Sequence, residues 1–179
     1  ERFNGTTLYD WIAAKTPASR ALSVSRKDRG AILPIGRAKE DVYWYSAAGV
    51  FTTSPYYPDS LPPWVRAFNA RRIPHRYIGQ QWRLSREPST YGEPDSVPEE
   101  NGGRSVFPYE LPTDTARALS AFMAIPAMDS ATALFALAGL RALDLGRGPH
   151  TDVLAVSFST TDAIGHAYGP DSREAHENE

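Results

Sequence analysis

The stretch with the strongest bearing on the fold runs from Asp129 to Ser159. Asp129–Leu145 is dominated by alanine and leucine, both good helix formers, and Leu134, Leu137, Ala138 and Leu145 can build one apolar face. Gly146 suits a C-cap, and residues 146–151 read as a turn. Asp152–Ser159 then carries a near-continuous apolar run, as expected of a strand covered on both faces of its sheet. Helix, short link and buried strand in that order predict an α/β domain. In such sheets, ligands collect outside the carboxyl ends of the strands. Directly after this strand come a Ser/Thr cluster, Asp162 and His166.

The remainder of the chain is consistent with that class. Thr6–Lys15 reads as a helix capped by Thr6 or Thr7, with Leu8, Trp11 and Ile12 on one face. Ala21–Ser25 reads as a short buried strand, Val42–Tyr45 as a second, and Phe51–Thr53 as a third. Lys27–Gly36 reads as a charged turn followed by an apolar stretch that Pro34 and Gly36 end. Leu61–Ala70 predicts a helix, with Pro62 and Pro63 in its first turn and Trp64, Val65 and Phe68 at helical spacing. Ser85–Pro112 has the composition of a long loop. The expected organisation is one α/β fragment, residues 1–179, with an irregular, aromatic-rich insertion at about 47–122. Tyr43, Trp44, Tyr45, Tyr56 and Tyr57 read as the core of that insertion.

Composition narrows the function. A net charge of −2 gives no electrostatic case for a nucleic-acid or membrane-surface partner, and no apolar run approaches the length of a membrane span. The absence of cysteine excludes disulfides, thiol catalysis and cysteine-ligated zinc. A transition metal would have to be held by histidine and carboxylate, the donors of catalytic zinc sites. Asp162 and His166 are such donors: if the chain turns into a helix after Thr160, residues four apart share a face. Spacing alone equally allows a helix-capping aspartate and an exposed histidine. His75, His150 and His176 have no partner at ligand spacing.

The segment SFSTTDAIGHAYGPDS resembles the strand-and-ligand segment of the alkaline phosphatase and nucleotide pyrophosphatase/phosphodiesterase superfamily, where a pattern like S-S/T-T-D-x-x-G-H-x-F/Y-G-P comes after a core strand. The resemblance implies that Asp162 and His166 bind one of two catalytic zinc ions. VSRKDRGAILPIGR, residues 24–37, resembles the S-x-K-D-R-x-A-I-x-x-x-G segment of the periplasmic alkaline phosphatases that bind phosphate with a lysine and an arginine. By that resemblance Lys27 and Arg29 form the phosphate pocket. The chemistry suits them: arginine offers a planar fork to two non-bridging oxygens, and lysine a compact charge. On an extended chain, side chains two residues apart point the same way, which would aim both at one phosphate. Weaker echoes fall in family order across most of the chain: VYWYSAAGVFTTSPYY, LPPWVRAFN, QQWRL and FPYELP.

The resemblance implies the central part of a two-zinc alkaline phosphatase that hydrolyses phosphate monoesters through a covalent phospho-enzyme, periplasmic or secreted. The family's Thr or Ser nucleophile and its other zinc ligands match nothing in these residues, so the isolated chain is expected to show little or no turnover. The expected partners are the phosphate monoester and the remainder of the parent polypeptide. Two alternatives remain: a phosphodiesterase or nucleotide pyrophosphatase on the same scaffold, and a non-catalytic binding module derived from it. The Lys27/Arg29 pair weighs against the diesterase, because a diester carries less charge and has one oxygen blocked.

Overall fold

Strand β1 (Ala21–Ser25) is buried along its whole length, and a four-stranded sheet is built around it. The computed structural model describes residues 4–58, 60–96 and 105–178 and divides the chain into two compact units. The first holds residues up to 46, 50–72 and 131–158. Its other strands are β2 (Asp41–Tyr45), β3 (Phe51–Thr52) and β6 (Val153–Ser157), and the sheet has the order β3-β2-β1-β6. β1 is parallel to both β2 and β6, and β3 closes one edge antiparallel to β2.

Side chains alternate across this sheet as the pleat requires. On one face Ala21 and Val42 pack with Tyr9 of α1 (Leu8–Lys15) and with Ala31 and Ile35, in and just after α2 (Asp28–Ile32). On the other, Tyr43 packs edge-on to Phe135 of α5 (Ala127–Ala142) and to Trp64 of α3 (Pro63–Ala70). Phe135 also stacks on Phe51 at 4.0 Å and meets Phe68 edge-on. Each such ring pair adds about 0.5–1.5 kcal/mol beyond its area burial. Helices on both faces of a mostly parallel sheet make this unit α/β, as expected.

Several local expectations are corrected. In α1 the buried residue is Tyr9, whereas Leu8 and Trp11 are exposed; the Tyr9 hydroxyl donates to Glu40 and also lies 2.8 Å from Ser19 O. In α5 the core face is Met128, Ala131, Thr132, Phe135 and Ala136, and Leu134 and Leu137 are exposed. Among the described residues β6 pairs only with β1, so it forms a sheet edge, and Leu154 is exposed rather than covered. Lys27–Arg29 is not an extended segment: Lys27 is the N-cap of α2 and Arg29 lies in its first turn. Lys27 keeps extended dihedrals while Arg29 is helical, so the strand alternation that predicted a common direction does not apply to the pair.

The second unit holds residues 47–49, 73–130 and 159–178 of the described chain. Its main elements are α4 (Thr115–Phe122), α6 (Thr160–Tyr168), α7 (Arg173–Glu177) and a two-stranded antiparallel sheet of β4 (Gln81–Trp82) and β5 (Tyr109–Glu110), with short 3-10 turns at Ile73–Tyr77 and Pro88–Thr90. α4 lies inside the expected insertion, where no helix is predicted; Asp114 caps it by accepting the Arg117 N–H, and Ala118, Leu119 and Phe122 are its buried face. Part of the expected long loop, residues 97–104, lies outside the described residues. Among the described residues no single helix is long and apolar enough to cross a membrane.

Candidate active site

Lys27 and Arg29 come just after the carboxyl end of β1. The Ser25 hydroxyl accepts the Lys27 N–H at 3.1 Å, which turns the chain out of the strand and into α2. Asp28 accepts the Arg29 N–H at 2.7 Å, so its carboxylate serves the backbone of the turn. Lys27 is half-buried and Arg29 is exposed. β1 and β6 end side by side, with Ser25 paired in register to Ser157. The two cations therefore emerge at the carboxyl edge of the parallel strands, the edge at which ligands gather in α/β sheets. A lysine and an arginine together carry the charge needed to neutralise a doubly charged anion. The two arrive from successive positions of one turn rather than from one face of a strand.

Asp162 and His166 lie in the second unit, one helical turn apart on α6. Their Oδ1 and Nε2 atoms are 3.4 Å apart, and their side chains are 49% and 82% exposed. Two donors at ~2.0–2.2 Å from a tetrahedral zinc ion stand about 3.3–3.6 Å apart, so this separation suits neighbouring ligands of one ion. An oxygen and an imidazole nitrogen are also the right donor types. Among the described residues no group of three or more His, Cys, Asp or Glu could hold a metal ion, so the pair offers two ligands and no third.

α6 is firmly seated within its unit. Ser159 makes no side-chain cap; instead both Asp129 oxygens lie 3.3 Å from the Thr160 N–H, a carboxylate at the positive end of a helix. Asn178 donates to the Thr161 hydroxyl at 2.6 Å. At the other end Tyr168 packs against Trp82 and Tyr109. The Tyr109 hydroxyl donates to the buried Glu174, and burial followed by that carboxylate pushes its pKa well up. His176, left without a role by its sequence spacing, has a partner: its Nδ1 is 3.0 Å from Glu93. That contact is the main cause holding the Glu93 carboxyl below the usual range. The two are 83 residues apart in sequence, so no local spacing could have revealed the pair.

The comparisons with known proteins agree in direction. The sequence profile of the type I phosphodiesterase / nucleotide pyrophosphatase family matches residues 5–178. The alkaline phosphatase PhoV of Synechococcus elongatus is 40% identical over 177 residues, covering 94% of this chain and 32% of PhoV. The alkaline phosphatase PafA of Elizabethkingia meningoseptica is 32% identical, over 94% of this chain and 33% of PafA. The crystal structure of wild-type PafA matches 95% of this chain and 34% of its own with a TM-score of 0.84 at 30% identity. A PafA variant with four substitutions matches with a TM-score of 0.82 at 28% identity, over 95% of this chain and 35% of its own. Its substitutions include a lysine and an arginine two positions apart, the spacing of Lys27 and Arg29. The chain spans about a third of the length of the curated relatives it matches.

Proposed function

Because this chain belongs to the type I phosphodiesterase / nucleotide pyrophosphatase family, we propose that it is the central part of a two-zinc alkaline phosphatase acting on phosphate monoesters. The observation that carries this reading is the turn after β1, which brings Lys27 and Arg29 to the carboxyl edge of the parallel sheet. The phosphoryl group in transfer carries charge on three non-bridging oxygens. Arg29 can grip two of them through its planar fork, and Lys27 adds a point charge. Such groups accelerate the reaction to the extent that they meet charge more closely in the transition state than in the ground state.

Asp162 and His166 hold one of the zinc ions, and their 3.4 Å separation supports that role. Zinc, when bound, supplies Lewis-acid stabilisation of negative oxygen and a water of lowered pKa. The nucleophile that forms the covalent phospho-enzyme is assigned to the remainder of the polypeptide. On this reading the 179 residues alone turn over little or no phosphate monoester. The fragment is one α/β piece of the enzyme's domain with an insertion at about 47–122, and the enzyme is periplasmic or secreted.

The family description itself names phosphodiesterases, which keeps a diesterase as the second reading. The test uses the protein expressed from its complete reading frame. Lys27→Ala combined with Arg29→Ala is expected to cut kcat/KM for a phosphate monoester far more than for a diester. Equal losses on both substrates favour the diesterase. Separately, Asp162→Asn or His166→Ala should remove about one zinc per chain by elemental analysis. Unchanged zinc content would overturn the ligand assignment.

A further inference from the structure

We propose that Gly30 is a positioning residue for Lys27 and Arg29: its missing side chain lets α2 rest on the serine hydroxyls that end β1 and β6, and so fixes where the two cations stand. This rests on reading Lys27 and Arg29 as phosphate ligands.

Gly30 sits inside α2, where glycine costs about 1 kcal/mol relative to alanine. Its φ is not positive, so conformational freedom is not what the position requires. Space is what it requires. A Cβ at Gly30 would stand 2.5 Å from Ser25 Oγ, 3.1 Å from Ser25 Cβ and 3.2 Å from Ser157 Oγ. Ser25 and Ser157 are the paired last residues of two adjacent parallel strands, and Ser25 is fully buried. The strand ends therefore cannot retreat without opening the sheet.

The same Ser25 hydroxyl accepts the Lys27 N–H. One oxygen thus fixes the backbone of the first cation and forms the surface on which the residue after the second cation rests. A methyl group at position 30 must displace either α2 or that hydroxyl. Each movement alters the turn that carries Lys27 and Arg29. Displacements near 1 Å at a reacting group can cost about a hundredfold in rate.

The experiment measures competitive inhibition by inorganic phosphate, together with the thermal midpoint, in the protein from its complete reading frame. Gly30→Ala is expected to weaken phosphate inhibition about tenfold. Ser25→Ala adds no atom but removes the acceptor of the Lys27 N–H; it should weaken inhibition severalfold with a small change in midpoint. The double variant Ser25→Ala/Gly30→Ala should regain part of the Gly30→Ala loss, because the closest overlap is gone. A lowered midpoint in Gly30→Ala with wild-type phosphate inhibition would make Gly30 a packing residue only and overturn the proposal. If Gly30→Ala does not fold, wild-type inhibition in Ser25→Ala overturns it equally. Lys27→Ala/Arg29→Ala serves as the reference: unchanged phosphate inhibition there removes the phosphate-pocket reading itself, and this inference with it.

Discussion

At the amino ends of β1 and β6, the Arg20 guanidinium donates to Leu143 O, to Asp144 O and to the Asp152 carboxylate, which also accepts the Arg20 and Gly146 N–H groups. At the carboxyl ends of the same strands, the polar contacts fix a backbone turn and present Lys27 and Arg29 beyond it. The first region ties its cation inward, to groups that the end of α5 and the start of β6 leave unpaired. The Asp152 side chain is only 5% exposed, so its donors replace water that has been lost. The second region holds the backbone of its two cations, through the buried Ser25 hydroxyl and the Asp28 carboxylate.

The contrast is most exposed to failure at the carboxyl end. Lys27→Ala with Arg29→Ala should lower kcat/KM on a phosphate monoester about a thousandfold, or about 4 kcal/mol. Stability should change by no more than about 1 kcal/mol, because Arg29 is exposed and Lys27 only half-buried. At the amino end the effects should reverse. Arg20→Ala should destabilise by about 1–2 kcal/mol, seen as a drop of a few degrees in thermal midpoint, with monoester turnover within about twofold. The smallest effect should come from Asp152→Asn, about 1 kcal/mol near neutral pH, because the amide keeps one acceptor oxygen for these donors. The Gly146 N–H is the main cause, with further help from Arg20 and against some opposing desolvation, holding the Asp152 carboxyl below the usual range. A depressed native pKa means that the stabilisation is present above the ordinary aspartate value, about 3.9, and lost as pH falls through the native one. The midpoint difference between Asp152→Asn and the parent should therefore be full above about pH 5 and shrink toward pH 3. A difference that grew on acidification would contradict the assignment.

Much of the first unit was legible because β1 is buried throughout and β2 over most of its length. ALSVS and the aromatic run to Tyr45 carry no competing signal, and both are strands at nearly the expected bounds. Helix faces were harder to read. Leucine and tryptophan count as buried by type, yet the faces of α1 and α5 are set by Tyr9 and Phe135, because the sheet offers room and partners for those rings. The glycine of K-D-R-G reads as part of a turn and hides α2. The contacts that require it, Ser25 and Ser157, are respectively close and distant in sequence. α4 carries a usable signal in its Asp114 cap and the spacing of Ala118, Leu119 and Phe122, within a stretch assigned to insertion. The residue pairs Lys27/Arg29 and Asp162/His166 came from motif resemblance. Their geometry was legible only for the second pair, where helical periodicity was the right rule.

One side-by-side measurement decides between aimed and structural cations: monoester kcat/KM and thermal midpoint for Arg20→Ala and for Lys27→Ala/Arg29→Ala, in the protein from its complete reading frame. A crossing is expected: the first variant loses midpoint and keeps turnover, and the second keeps midpoint and loses turnover. Retained turnover in Lys27→Ala/Arg29→Ala, or parallel losses of both quantities in both variants, would contradict the assignment of these cations.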